Sequence, residues 1–186
     1  LYDKDIREPL FDFLEEAYGK LRIIEEKQVG KSRADIVMVL PGLLTGIEIK
    51  SDADSYVRLS RQVKDYDRFF DRNMVVAGSS HAAHVREHVP GWWGIITVEQ
   101  NDREIDFYVL RQPQENPMMN WKRKLSLLWR PELAHIQELT AMPRYKEKSK
   151  AFVIEKILAK VPGEQLSVLV SEELFERDYT RIEEVI

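Results

Sequence analysis

Cysteine is absent from this chain of 186 residues, and the absence excludes disulfide bonds and zinc sites built on thiolates. No apolar run approaches the roughly 20 residues that cross a bilayer. The first residues show no signal-peptide pattern. Together these absences predict a cytoplasmic protein without a membrane partner.

A basic excess is also missing, because the formal net charge is −4. The charge is unevenly distributed along the chain. Residues 1–111 hold 16 basic and 20 acidic side chains, whereas residues 112–150 hold 8 basic and 4 acidic ones. The net acidity argues against a dedicated nucleic-acid binder, but the basic segment can form a local patch beside an acidic site.

Hydrophobic periodicity predicts a mixed α/β core in the order helix, strand, hairpin, helix, strand, helix and hairpin. After residue 111 only helical patterns follow. We therefore predict a core over 1–111 and a helical C-terminal extension, packed on that core, over 112–186. The predicted helices and strands of the core cover residues 3–17, 21–25, 33–40, 45–51, 55–71, 74–77, 81–88, 93–98 and 105–110.

Two carboxylates and a lysine stand on neighbouring predicted strands. Glu48 and Lys50 share one strand face because side chains alternate, and Asp35 opens the strand joined to theirs by a Pro-Gly turn. Magnesium prefers one or two carboxylates plus water or phosphate oxygens, which predicts a Mg²⁺ site that Mn²⁺ can also fill. The alternatives are a solvated Glu48–Lys50 pair on an edge strand and a salt bridge between Asp35 and Arg33.

The following helix carries Gln62 and Tyr66, which are one turn apart and therefore on one face. An amide at Gln62 can hold a metal-bound water or a phosphate without repelling the carboxylates. For Tyr66, simple core packing is an equal alternative.

These residues resemble the PD-(D/E)XK nuclease superfamily, including its branch with a Gln-x-x-x-Tyr helix, and several segments look like its sce7726 family. The similar segments run over 32–36, 46–51, 61–62, 90–95 and 127–130. The resemblance implies a restriction-endonuclease-like core, in which a central mixed sheet is flanked by helices in the order α-β-β-β-α-β. It also implies a metal-dependent nuclease that hydrolyses phosphodiester bonds in DNA, and a homodimer as one oligomeric state.

By position in the motif, the resemblance implies catalytic roles for Asp35, Glu48, Lys50 and Gln62. The cation would be bound by the two carboxylates and the backbone carbonyl of Ile49. The resemblance leaves the identity of a further acidic ligand open. Its candidates lie on the first helix and the first strand: Asp5, Glu8, Asp12, Glu25 and Glu26. Ala34 replaces the proline that names the motif.

The alternative to the enzyme is a nucleic-acid-binding module or complex subunit of the same fold that catalyses weakly or not at all. Candidate nucleic-acid contacts are Arg33, Arg61, Lys122, Arg123 and Lys124. Arginines on the long helix alternate with aspartates, so a solvated face laced with salt bridges is the alternative there.

Overall fold

The computed structural model describes residues 1–180, which form a six-stranded mixed sheet flanked by helices and a helical C-terminal part. The last six residues of the predicted extension lie outside the described residues. The strands are β1 (Arg22–Val29), β2 (Ser32–Leu40), β3 (Leu43–Lys50), β4 (Arg72–Gly78), β5 (Gly94–Asn101) and β6 (Glu104–Arg111). The helices are α1 (Asp3–Tyr18), α2 (Leu59–Phe69), α3 (Ser79–Val85), α4 (Trp121–Leu125), α5 (Arg130–Leu139), α6 (Lys150–Lys160) and α7 (Gly163–Glu176).

The strands lie in the sheet in their order along the chain, from β1 to β6. The β1–β2, β2–β3 and β5–β6 pairs are antiparallel, and the β3–β4 and β4–β5 pairs are parallel. The two parallel pairs require crossovers, which contain α2 and α3. Strand β3 is therefore a central strand, hydrogen-bonded on both sides.

Side-chain alternation along the strands divides the apolar residues into two clusters on opposite faces of the sheet. On β3, Ile47 and Ile49 pack with Leu10 and Leu14 of α1. The other face carries a second cluster in which α2, α4, α5, α6 and α7 all take part. The side chains of Glu48 and Lys50 alternate with the two isoleucines, so they lie on the face that α2 covers.

Gly46 lets α2 approach this face of β3 closely. A Cβ at this position would lie 2.4 Å from Cδ2 of Phe70 and 2.7 Å from Oδ1 of Asn73. Phe70 directly follows α2 and is fully buried, so it cannot swing away. The close packing at this end brings the rest of α2 down over Glu48.

The same end of α2 carries one carboxylate that accepts several hydrogen bonds. Oδ1 of Asp67 accepts the indole N–H of Trp93 at 2.8 Å and that of Trp92 at 3.2 Å. Asn73 donates to the same atom at 3.1 Å. Burial raises the pKa of Asp67, and the three donors oppose that rise. Asp67 thus attaches α2 to the segment before β5.

Cationic side chains attach the C-terminal helices to the sheet, through an ion pair and through hydrogen bonds to backbone oxygens. Lys124 of α4, fully buried, places Nζ 2.9 Å from Oδ1 of Asp71, the residue before β4. Arg22 of β1 donates to the backbone oxygens of Leu174 and Phe175 near the end of α7. These contacts join residues more than fifty positions apart in the chain.

The predicted order of elements and the mixed sheet with flanking helices are confirmed, and the helical C-terminal part is present. Strand β1 is longer than predicted and continues to Val29. Helix α1 runs through Pro9, which lies inside it. The division into a core and an extension stays a prediction. Among residues 1–180, no helix is both long enough and apolar enough to cross a membrane.

Candidate functional site

An open polar cleft of about 380 Å³ lies where the β2–β3 pair splays apart beneath α2. The register of paired residues in β2 and β3 ends at Ile36 and Ile47. Beyond that point Asp35 and Glu48 face the space that the strands leave. The cleft is lined by Asp3, Gln28, Lys31, Ser32, Arg33, Asp35, Glu48, Ile49, Lys50, Asp54, Arg58, Arg61 and Gln62.

Glu48 is the centre of a buried hydrogen-bond network. Its Oε1 lies 3.1 Å from Nζ of Lys50 and accepts Nε2 of Gln62 at 2.5 Å. Its Oε2 accepts the hydroxyl of Tyr66. Lys50 also donates to Oε1 of Gln62 at 3.0 Å, which closes the network. Glu48 and Lys50 are only 2% and 4% exposed, so these donors and acceptors replace water.

The side chain of Asp35 acts as a hydrogen-bond acceptor for the backbone of β3. Its Oδ2 accepts the backbone N–H of Ile49 at 2.8 Å, and its own N–H donates to the hydroxyl of Tyr66 at 3.1 Å. Burial, and next the charge of Glu48, raise the pKa of Asp35 to about 8, although the Ile49 N–H and Arg7 act in the opposite direction. The cleft therefore contains two neighbouring carboxyl groups whose negative charges disfavour each other.

Arg7 was not identified from the sequence, and it links α1 to the acidic groups at the cleft. Its guanidinium contacts Asp3 at 2.7 Å, Glu26 at 2.5 Å, Glu25 at 3.2 Å and Asp35 at 3.4 Å. The spacing of Asp3 and Arg7, one helical turn, was the available signal. Because Arg7 binds several acids at once, it compensates only part of the charge on Asp35.

Exposed cations surround the mouth of the cleft. Lys31 precedes β2, and Arg58 and Arg61 lie at the start of α2. Within residues 1–180 none of these three side chains has an ion pair or hydrogen bond. Arg33, also at the cleft, is bound to Glu26 at 2.7 Å. Lys31, Arg58 and Arg61 are thus free to meet an anion.

The structure overturns both alternatives for the carboxylate pair. Glu48 and Lys50 are buried on a central strand, so they are not a solvated pair at a sheet edge. Asp35 does not pair with Arg33; its ion pair is with Arg7. Tyr66 is fully buried in the core and also donates a hydrogen bond to Glu48, so core packing and a contact at the site occur together.

The acidic candidates for a further ligand do not line the cleft. Asp5 accepts the backbone N–H of Tyr2, Glu8 is exposed, and Glu25 contacts Arg7. Asp12 and Glu26 are likewise absent from the cleft wall, which α1 reaches through Asp3 instead. Within residues 1–180 no group of three or more acidic or histidine side chains could hold a metal ion.

Two predictions about basic side chains are wrong. Lys124 is fully buried and paired with Asp71, so it cannot contact a nucleic acid, whereas Lys122 and Arg123 are exposed outside the cleft and their nucleic-acid contact stays a prediction. The aspartates that alternate with the helix arginines do not form a solvated ionic face. They are bound inside the fold, Asp65 to the hydroxyl of Ser32 and Asp67 to two indoles.

The donor set fits one hard divalent cation bound by Asp35 and Glu48 and completed by water or phosphate oxygens. Each carboxylate oxygen can accept more than one contact, so the network around Glu48 leaves lone pairs available. A cation would also relieve the repulsion that raises the pKa of Asp35. The set does not fit a cage made of protein ligands alone. Ile49 lines the cleft, and a role for its carbonyl stays a prediction.

The fold and the cleft define an α/β protein whose mixed sheet carries two neighbouring acidic groups and a buried lysine under a cationic mouth. A family model described as bacteriophage P4 protein cII matches residues 1–182. The chain belongs to the bacteriophage P4 protein cII family.

Two individual comparisons are weaker. The chain is 28% identical over 101 residues to protein cII of Enterobacteria phage P4, a match that covers 54% of this chain and 38% of that protein. The match thus spans about two fifths of the relative's length. A solved structure of Pyrococcus furiosus SfsA in complex with Ca²⁺ is 16% identical, the match covers 60% of this chain and 62% of that one, and the TM-score is 0.36. That TM-score is too low to support an argument.

The family match corrects the assignment made from the motif. The chain was predicted to belong to the PD-(D/E)XK superfamily and its sce7726 family, and to act as a nuclease. Both predictions are wrong, because the family that matches nearly the whole chain is that of protein cII. A motif of a few common residue types can arise at one cleft in unrelated sequences, so it identifies a family poorly. Catalytic activity of the cleft stays a prediction.

Proposed function

We propose that the cleft binds nucleic acid through its phosphates, with a divalent cation bound by Asp35 and Glu48. The observation that carries the proposal is the combination of these two carboxyl groups at the cleft floor with unpaired cations at its mouth. A cation shared by protein carboxylates and phosphate oxygens is the arrangement that magnesium favours.

The floor of the cleft explains why the cation is needed. Without it, a phosphate would approach the negative charge of Glu48 beside the carboxyl group of Asp35, and like charges in a partly buried site repel strongly. Lys50 offsets part of this charge, but its ammonium group is already bound to Glu48 and Gln62. A divalent cation reverses the sign at the floor and makes the site attractive to phosphate.

The basic side chains at the mouth of the cleft supply phosphate contacts that do not depend on the cation. Arg58, Arg61 and Lys31 have no acidic partner among residues 1–180, so a phosphate backbone would gain their charge without breaking an ion pair. Arginine can also bind a phosphate through two parallel hydrogen bonds. This local charge outweighs the net acidity of the chain, because surface charges act mainly within about 10 Å at 0.1 M salt.

Three sequence-based expectations belong to this proposal: the cation, the kind of nucleic acid and the fold of the core. Mg²⁺ is the expected cation and Mn²⁺ its substitute, and DNA is the expected nucleic acid. The restriction-endonuclease-like character of the core is also proposed here, and its support is the α-β-β-β-α-β order and the parallel β3–β4 pair. A homodimer stays a prediction, which sedimentation of the purified protein with and without DNA tests.

The test compares DNA binding in Mg²⁺ and in EDTA by filter binding, with short single-stranded and duplex DNA and matching RNA. We expect wild-type binding to be at least about tenfold tighter in Mg²⁺. The Asp35→Asn variant should lose this cation dependence, and calorimetry should show that it binds Mn²⁺ more weakly.

A paired variant tests the mouth of the cleft. Arg58→Gln with Arg61→Gln should weaken binding in both buffers and reduce the salt dependence by about one phosphate contact per residue. The control is Arg86→Gln with Arg103→Gln, which removes the same charge from exposed positions outside the cleft. Equal binding by all variants, with and without Mg²⁺, would rule out the proposed site.

A further inference from the structure

A second cavity, separate from the acidic cleft, lies in the helical C-terminal part. Its volume is about 530 Å³, within the range of pockets that hold cofactors and small ligands. It is bounded by α5, the start of α6 and the loop that joins them. No residue of the acidic cleft takes part in its wall.

Four cations converge on this cavity: Arg130, Arg144, Lys146 and Lys150. They account for half of the basic side chains in the segment 112–150. None of the four has a carboxylate partner among residues 1–180. Arg130 donates to the backbone oxygen of Lys148 at 2.7 Å, and Lys150 donates to that of Ser126 at 2.8 Å.

The acidic groups near the cavity do not neutralise these cations. Glu138 is the one carboxylate on the described wall, and it is exposed. His135, also on the wall, is bound to Glu173. Burial lowers the pKa of Lys150, and the charge of Arg177 lowers it further. The charge of Glu132 acts in the opposite direction, so it offsets part of the positive charge at the cavity, where the four cations still outnumber the one carboxylate on the wall.

Two helices begin at this cavity, and their directions strengthen the positive field. Arg130 is the first residue of α5, a helix of 10 residues, and Lys150 is the first of α6, with 11 residues. The N-terminal end of a helix carries partial positive charge, so both ends favour an anion in the space between them.

Apart from Gln137, whose amide donates to the backbone oxygen of Pro143, the remaining wall of the cavity is apolar. Leu133 and Val153 are buried side chains at the wall, and Pro131 and Ala134 lie beside them. The half-buried ring of Tyr145, which packs edge-on against Phe152, also lines the cavity. A wall of this kind offers an apolar contact to the body of a ligand whose charged end meets the cations.

From these features we propose that the cavity binds a phosphorylated small molecule with an apolar or aromatic body, of about the size of a nucleotide. The phosphate lies among Arg130, Arg144, Lys146 and Lys150, and the body of the ligand contacts Leu133, Val153 and Tyr145. This site is independent of the nucleic-acid cleft, so either can fail without the other.

The experiment is isothermal titration calorimetry of the full chain with AMP, ATP, adenosine and inorganic phosphate, in EDTA. EDTA removes any divalent cation from the acidic cleft, and Arg58→Gln with Arg61→Gln, titrated in parallel, should retain the heat of binding that belongs to the second cavity. We expect AMP or ATP to bind with a Kd of about 1 to 100 µM. Adenosine and phosphate should each bind at least about tenfold more weakly, since each offers half of the contacts.

Two variants locate the binding. Arg144→Gln with Lys146→Gln should weaken nucleotide binding at least about tenfold, whereas Arg86→Gln with Arg103→Gln should leave it unchanged. Ala134→Phe fills the cavity without changing charge and should abolish the binding. Circular dichroism confirms that each variant is folded, and Asp35→Asn should bind nucleotide as the wild type does.

Three results would overturn the proposal. The first is no saturable heat with any nucleotide up to about 1 mM. The second is equal weakening by both double variants, which means that affinity follows net charge alone. The third is inorganic phosphate binding as tightly as AMP, which removes the role of the apolar wall.

Discussion

At the scale of single residues, Asp35 keeps its carboxyl group where burial and Glu48 both oppose a negative charge. A carboxyl whose pKa is about 8 in the fold and near 4 in the unfolded chain retains its proton in the folded state between these pH values. The folded state then binds more protons than the unfolded state. Stability from this group is therefore present below about pH 4 and is lost as pH rises to about 8.

Asp35→Asn should consequently raise the free energy of unfolding at pH 8 by an amount on the order of a few kcal/mol, and have little effect at pH 4. The asparagine oxygen can still accept the Ile49 N–H. Urea denaturation at the two pH values measures the change. Asp12→Asn, on the exposed face of α1, is the matched control and should show no such pH dependence. A lower stability of Asp35→Asn at pH 8 would contradict the prediction.

Gly46→Ala should destabilise the fold by about 1–3 kcal/mol, because its methyl group would overlap the buried ring of Phe70. Thermal denaturation followed by circular dichroism measures the loss. Gly91→Ala is the control, since nothing lies within 4 Å of a Cβ at that position. Equal melting temperatures of the two variants would show that α2 can move away from β3 without cost.

At the scale of elements, the buried Lys124–Asp71 pair joins α4 to the start of β4. Lys124→Met keeps most of the side-chain volume but leaves Asp71 with a less compensated charge, which should cost about 3–5 kcal/mol. Lys122→Met is the control, because its pair with Glu155 is exposed and screened by solvent, so its loss should matter far less. Urea unfolding measures both values. A smaller loss in Lys124→Met than in Lys122→Met would contradict the assignment.

The helices and strands, and the side chains that share a face on them, were the most predictable features of this protein. Alternation on β3 correctly indicated that Glu48 and Lys50 share a face, and helical spacing correctly brought Gln62 and Tyr66 to it. The partner of Asp35 was not predictable, because Arg7 lies on a helix whose position over the sheet depends on long-range packing. For the same reason Lys124 looked exposed in a basic run although its partner lies 53 residues away.

At the scale of the whole molecule, the larger apolar cluster combines side chains from the sheet with side chains from all four C-terminal helices. Val37 and Val39 of β2 belong to the same cluster as Leu166 and Val170 of α7. A fragment ending at residue 111 would expose this face of the sheet to water. Large apolar faces without a partner lead to association or incomplete folding.

We therefore expect the full chain to unfold in one cooperative transition, with equal calorimetric and van't Hoff enthalpies. The 1–111 fragment should show no cooperative transition and should associate in sedimentation experiments. The matched comparison is a chain ending at residue 180, which keeps every described helix. A soluble 1–111 fragment with a sharp transition would contradict this dependence and support two separate folding units.

The hydrogen bonds that the Asp67 carboxylate accepts make the tryptophan fluorescence of this protein sensitive to the position of α2. Two of its four tryptophans donate their indole N–H groups to the same oxygen, and that oxygen belongs to α2, the helix that also carries Gln62 and Arg61. Indole emission responds to the charge and distance of such a neighbour. A small displacement of α2 when the acidic cleft fills would therefore change the intrinsic emission of Trp92 and Trp93, so the protein carries its own spectroscopic reporter of events at the cleft.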